Sequence, residues 1–232
     1  MKDLASQWFV VTADQVGSRS ARDGVPAALE ALGTARLDMD LAFERTVGDE
    51  IQGLTIRASD VLRAVKILTR LGQWRIGIGV GEVELPLATT SRAARGPAFI
   101  AARDAVTAAR RSPCDIALRV AGTSSSGAGL LVAAAGVGPA CSPSTCSAPE
   151  RADNALTVWR ALMRRRSDEG WQAVTMVESG LSHREVARLL GVSESAVSQR
   201  LTRARLAESA AAERLAVCEL ADLVAGPHGT PA

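Results

Sequence analysis

The chain of 232 residues predicts an α+β protein: a ferredoxin-like sheet domain over residues 1–122, then a small all-α helix-turn-helix domain over 150–225. Three observations carry this. Strand-like and helix-like segments alternate from Trp8 to Val120 in the order βαββαβ, followed by αβ. Gly, Ser, Ala and Pro dominate residues 123–149, which read as a linker with one short strand at Leu130–Ala133. From Gly180 to Arg205, two short helices carry their own start and stop residues. Residues 226–232 follow as a loose tail.

The sheet elements come in order. Trp8-Phe-Val-Val-Thr-Ala is an apolar run that reads as a buried strand ending at Asp14, and residues 24–36 read as a helix. Leu41–Val47 alternates and predicts a second strand. Gly48-Asp49 predicts a two-residue turn, from which Glu50–Arg57 returns as the third strand. Ser59–Leu71 places Val61, Leu62, Val65 and Leu68 on one helical face. Trp74–Glu84 is the fourth strand, Gly96–Arg111 a helix and Asp115–Val120 a fifth strand.

The helical half holds the sharpest signal. Ser182 and Glu185 have the spacing of a capping box. Val186, Ala187 and Leu190 share a face, Gly191 supplies the left-handed stop, and Ser193 caps the next helix. On that second helix Val197 and Leu201 point inward, one turn apart. Ser195, Gln199, Thr202 and Arg203 lie opposite, with Ser198 and Arg200 on the flanks. Gln can read adenine, Arg can read guanine, and Ser serves bases or phosphates. These six residues are the candidate contacts to double-stranded DNA. The competing account is an ordinary helical hairpin with a polar outside. A single helix from Glu194 to Ala225 is expected, with Leu206, Leu215, Leu220, Leu223 and Val224 available to pair with a second subunit. Such a homodimer would suit a two-half-site operator.

Composition sets outer bounds. A hydrophobic content of 47% is enough for a buried core, and a net charge of +2 does not by itself announce a nucleic-acid binder. Between Glu150 and Glu208 ten Arg stand against eight acidic residues. The first residues contain no long apolar run, which predicts no signal peptide and a reducing cytoplasm. The apolar run over Gly127–Ala140 is too short and too rich in Gly to span a bilayer. Cys141 and Cys146 could pair or hold metal, but neither His183 nor His228 has a ligand spacing from them, and they read as loop thiols.

A second constellation lies in the sheet. In a ferredoxin-like sheet the first and third strands pair at the centre, so the hairpin tip approaches the end of strand one. Asp14 and Asp49 then become neighbours at one edge. Two carboxylates held so close repel, unless one is protonated or a cation sits between them. Mg²⁺ carrying nucleotide phosphates is the expected cation. Arg19, Arg22 and Arg103 are candidate phosphate contacts. Gly77, Gly79 and Gly81 have two interpretations, close packing of a helix on the sheet or approach to a ligand.

Three resemblances follow from these residues. Ser198-Gln-Arg-Leu-Thr-Arg-Ala-Arg205 is similar to the end of the promoter-reading fourth region of sigma factors, which implies DNA binding. Arg45-Thr-Val-Gly-Asp49 and Gly77-Ile-Gly-Val-Gly-Glu82 resemble the palm of class III nucleotide cyclases and diguanylate cyclases. That resemblance implies a palm with Asp14 and Asp49 as metal ligands, and Arg45 and Arg103 as nucleotide contacts. The cyclase Asn and Arg of the transition state are not matched, since Ile100 and Asp104 stand there, so no catalytic residue is assigned. The whole chain is similar to the SatD family, through Val10–Asp14, Gly48-Asp-Glu-Ile-Gln-Gly53, Arg75–Glu82 and Arg95-Gly-Pro-Ala98. The function expected is a DNA-binding regulator with a nucleotide-sensing palm. The alternatives are a divergent Mg²⁺-dependent nucleotidyl cyclase or transferase, and a non-enzymatic assembly module.

Overall fold

The computed structural model describes residues 7–18, 21–123 and 146–225. The linker strand at Leu130–Ala133, Cys141, Arg19 and the tail lie outside the described residues. Among those described, one five-stranded mixed sheet and eight helices make a mixed α+β fold. The strands are β1 (Trp8–Gln15), β2 (Leu41–Arg45), β3 (Glu50–Thr55), β4 (Trp74–Gly81) and β5 (Ile116–Val120), in the spatial order β2-β3-β1-β4-β5. The central β1 pairs antiparallel with β3 and with β4, and β5 lies parallel to β4 at the edge.

Alternation along the strands sorts the two faces. Phe9, Val11 and Ala13 of β1 stand beside Val80, Ile78 and Ile76 of β4, all fully buried. Helices α1 (Val25–Thr34) and α2 (Ala58–Leu71) cover this face, with Val61, Val65 and Leu68 pointing in as their spacing requires. The opposite face receives α3 (Pro97–Ala109). There β4 offers Gly77, Gly79 and Gly81, while α3 offers Ala98, Ala102 and Ala105. A Cβ on Gly79 would collide with the Ala102 amide and the Ala98 carbonyl, and one on Gly77 with the Val106 amide. The glycines therefore let a helix backbone lie directly on a strand. That use leaves no room for a ligand above Gly77 and Gly79.

The hairpin differs from the expected two-residue turn. Thr46 N–H donates to the Glu50 carbonyl and Glu50 N–H to the Val47 carbonyl, so the loop is Val47-Gly48-Asp49. A type I′ turn needs positive φ at both central residues. Only Gly48 has it, at 61°.

The helical half is not packed as a separate body. Helix α4 (Ala148–Arg164) opens with a capping box between Ser147 and Glu150, and buries Ala152, Ala155, Leu156, Trp159 and Met163 in the same core as the sheet. The last helix, α8 (Leu206–Val224), adds Ala216 and Leu220 to that core, with Leu223 and Val224 half-buried against it. The single long helix expected from Glu194 is also two helices. The chain breaks at Arg205, whose φ of 53° and ψ of 44° are left-handed. Leu206 packs on the helix-turn-helix and Leu220 on the sheet core, so of the five residues expected at a dimer seam only Leu215 is an exposed large hydrophobic. Arg160 fixes α4 to the sheet: it is 2% exposed, and its guanidinium donates to the Trp74 carbonyl at 2.5 Å and to the Asp115 carbonyl. Burial pushes its pKa down to about 10.

No helix among the described residues is long and apolar enough to cross a membrane.

Candidate nucleic-acid interface

Helices α5 (Asp168–Glu178), α6 (His183–Leu190) and α7 (Glu194–Arg203) enclose a small core of their own. Its members are Ala173, Val174, Val186, Ala187, Val197, Leu201 and Ala204. Local chemistry defines the start of each helix and the end of α6. Ser167 accepts from Gly170 N–H at the start of α5. Ser182 accepts from Glu185 N–H, while the Glu185 carboxylate accepts from Ser182 N–H at 2.8 Å. Hydrogen bonds from the Ser182 hydroxyl and then from its backbone N–H hold the Glu185 carboxyl below its ordinary range. Gly191 takes φ 65° and ends α6, and Ser193 accepts from Ala196 N–H to start α7.

With Val197 and Leu201 buried, the remaining surface of α7 faces outward. Ser195, Ser198, Gln199, Thr202 and Arg203 are exposed and Arg200 is half-buried. Thr202 uses its hydroxyl to donate to the Ser198 carbonyl, and Ser198 Oγ lies 3.5 Å from His183 Nδ1. Gln199 and Arg203 are one turn apart on this face. Arg200 and Arg203 also border a cleft of about 430 Å³, together with Arg165 and the N-terminal residues of α5. Arg165 has no counterpart among the expected contacts. It precedes the motif, and only the fold brings it alongside α7.

The carboxylate pair in the sheet also comes together. Asp14 lies at the end of β1, in register with Glu50 on one side and Arg75 on the other. Asp14 and Asp49 border one open pocket of about 360 Å³, with Arg75 and Arg110 beside them. Asp14 Oδ2 is 3.6 Å from an Arg75 nitrogen and 3.7 Å from an Arg110 nitrogen. Burial raises the Asp14 pKa, the Asp49 carboxylate adds to the rise, and the two arginines oppose it. Arg45 and Arg103 do not join them. Arg45 is paired with Asp23 at 2.5 Å, and Arg103 lies on the exposed side of α3. Arg75 and Arg110 are the cations that sequence reasoning missed. The β1–β4 register alone would have placed Arg75 beside Asp14; Arg110 needed the direction of α3.

The pair has two carboxylates, which is within the number that Mg²⁺ takes from a protein. Two guanidinium groups already face Asp14, and no group of three or more His, Cys, Asp or Glu among the described residues could hold a metal ion. A divalent cation would have to displace the arginines from Asp14. The residues present suit a mixed-charge pocket better than a resident metal.

Against known proteins, a family profile described as Sigma-70, region 4 matches residues 172–207, which is most of α5, all of α6 and α7 and the start of α8. The chain matches no curated protein. Among solved structures it is similar to a regulator of polyketide synthase expression from Bifidobacterium adolescentis, at 13% identity over 94% of this chain and 85% of that one, with a TM-score of 0.25. So low a score carries no argument about fold. The segment 172–207 is a helix-turn-helix of the sigma-70 region 4 type, a DNA-binding unit.

Proposed function

We propose that this protein is a transcription regulator that binds double-stranded DNA through α7 and senses a small ligand through its sheet domain, acting in the cytoplasm. The observation that carries the DNA half is the exposed polar face of α7 on a capped, independently cored helix-turn-helix. Ser195, Gln199, Thr202 and Arg203 would meet base edges in the major groove, while Ser198 and Arg200 would meet bases or phosphates at its flanks. Binding of the full chain to duplex DNA at physiological salt tests it. Affinity no better than non-specific, about 10⁻⁴ to 10⁻⁶ M, would remove the proposal.

The ligand half rests on the pocket lined by Asp14, Asp49, Arg75 and Arg110. Its strand order, with β1 between β3 and β4, supports classing the first four strands as a ferredoxin-like palm. The SatD resemblance rests on motifs in that sheet. A second reading, a Mg²⁺-dependent nucleotidyl cyclase or transferase, is favoured by the proximity of Asp14 and Asp49. If Mg²⁺ binds, these two carboxylates hold it, and it would neutralise phosphate charge. Calorimetric titration with Mg²⁺, alone and with each nucleoside triphosphate, separates the two readings. Heat that disappears in Asp49→Asn supports the palm reading, and no heat from the wild type counts against it.

A further inference from the structure

Arg166 occupies the turn between α4 and α5 and is 8% exposed. Its Nε donates to the Ala204 carbonyl at 2.8 Å and its Nη2 to Ser209 Oγ at 2.5 Å. The guanidinium lies 4.6 Å from the centroid of the Trp171 ring. A charge this deeply enclosed is retained only where partners hold it.

Its partners lie at telling places. Ala204 is the C-terminal cap residue of α7, where carbonyls lack helical donors and the helix dipole is negative. Ser209 is in the first turn of α8, where its own hydroxyl donates to the Leu206 carbonyl. Trp171 belongs to α5. One side chain thus joins the end of α4, the start of α5, the end of α7 and the start of α8. Helix α4 is itself tied to the sheet through Arg160, and Lys66 of α2 pairs with Glu178 of α5 at 2.6 Å.

We infer that Arg166 is a positioning residue for DNA reading: it clamps the C-terminus of α7 to the α4–α5 turn and so fixes where Gln199 and Arg203 fall against the bases. The inference rests on the DNA-binding function proposed above. Lys cannot replace Arg here, because three contacts in different directions need the planar fork.

The test uses the full chain. A preferred duplex is first selected by the wild type from a random library at physiological salt, and a scrambled duplex serves as control. R166K is expected to bind the preferred duplex about tenfold more weakly or worse, as loss of one well-placed base contact by Gln199 or Arg203 implies. It should bind the scrambled duplex as the wild type does. Amide hydrogen exchange over residues 204–209 should quicken while β1 and β4 stay protected. Ser209→Ala keeps the guanidinium and should show a smaller loss of the same kind. The ratio of preferred to scrambled affinity is the readout that a merely structural role would not move. A folded R166K that keeps this ratio overturns the inference, as does one that loses both duplexes equally. A wild type that selects no duplex overturns the DNA-binding function itself, and the inference with it.

Discussion

On α7, the six candidate DNA contacts come from one ten-residue helix, on a scaffold where Ser182 and Glu185 start α6, Gly191 ends it and Ser193 starts α7. At the carboxylate pocket, four charged side chains arrive from β1, the β2–β3 loop, β4 and the end of α3. The first surface is local in sequence and faces water. The second is assembled across the sheet, and its charges largely answer one another. A local surface can be located from spacing alone. A distributed one can be located only in part, because each cation that neutralises a carboxylate comes from a different element.

Breaking the scaffold of the pocket should produce the largest effect. Gly79→Val would drive a side chain into the α3 backbone, and overpacking of this kind costs about 3 kcal/mol or more. Urea unfolding should show that loss, and a variant as stable as the wild type would mean that α3 does not rest on β4. Next in size come Arg203→Ala and Gln199→Ala, each expected to weaken binding to a preferred duplex by about 1–3 kcal/mol and to relax selection at one base position. Fluorescence anisotropy with single-base variants of that duplex reads both effects. Removing the cap with Ser182→Ala should cost about 1 kcal/mol of stability, seen as a lower melting temperature with an unchanged sheet signal.

The smallest effect concerns pH. Asp153 of α4 accepts a hydrogen bond from Leu118 N–H at 2.7 Å, yet burial raises its pKa against the pull of that bond and of Arg119. A carboxyl with a raised folded pKa favours the folded state in its protonated form. Its contribution is complete below the ordinary value of 3.8 and declines as pH rises through the folded value. Asp153→Asn keeps an acceptor for Leu118 and cannot ionise. The variant should gain stability relative to the wild type as pH rises across that window, measured as the difference in urea midpoint. A constant difference would show that Asp153 does not titrate there.

The sheet elements were legible from apolar patterning. The run Trp8-Phe-Val-Val-Thr-Ala marks a buried strand, and Val61, Val65 and Leu68 recur at helical spacing. The contact of Asp14 with Asp49 followed from strand order. What stayed hidden depended on tertiary packing. The apolar face of α8 looked available for a partner, yet Ala216 and Leu220 fill the core shared by the sheet and α4. The break at Arg205 carries no Gly or Pro to announce it, and beside it the Ala204 carbonyl accepts from Arg166, a contact only the fold makes. Arg45 sat in a nucleotide-like position by motif, but Asp23, far from it in sequence, holds it instead.

The most direct test of DNA recognition by α7 is the affinity of the full chain for a selected duplex against a scrambled one, both at physiological salt. The account predicts a preference of about a thousandfold or more, within the range of specific DNA-binding proteins. Equal affinity for the two duplexes would contradict it.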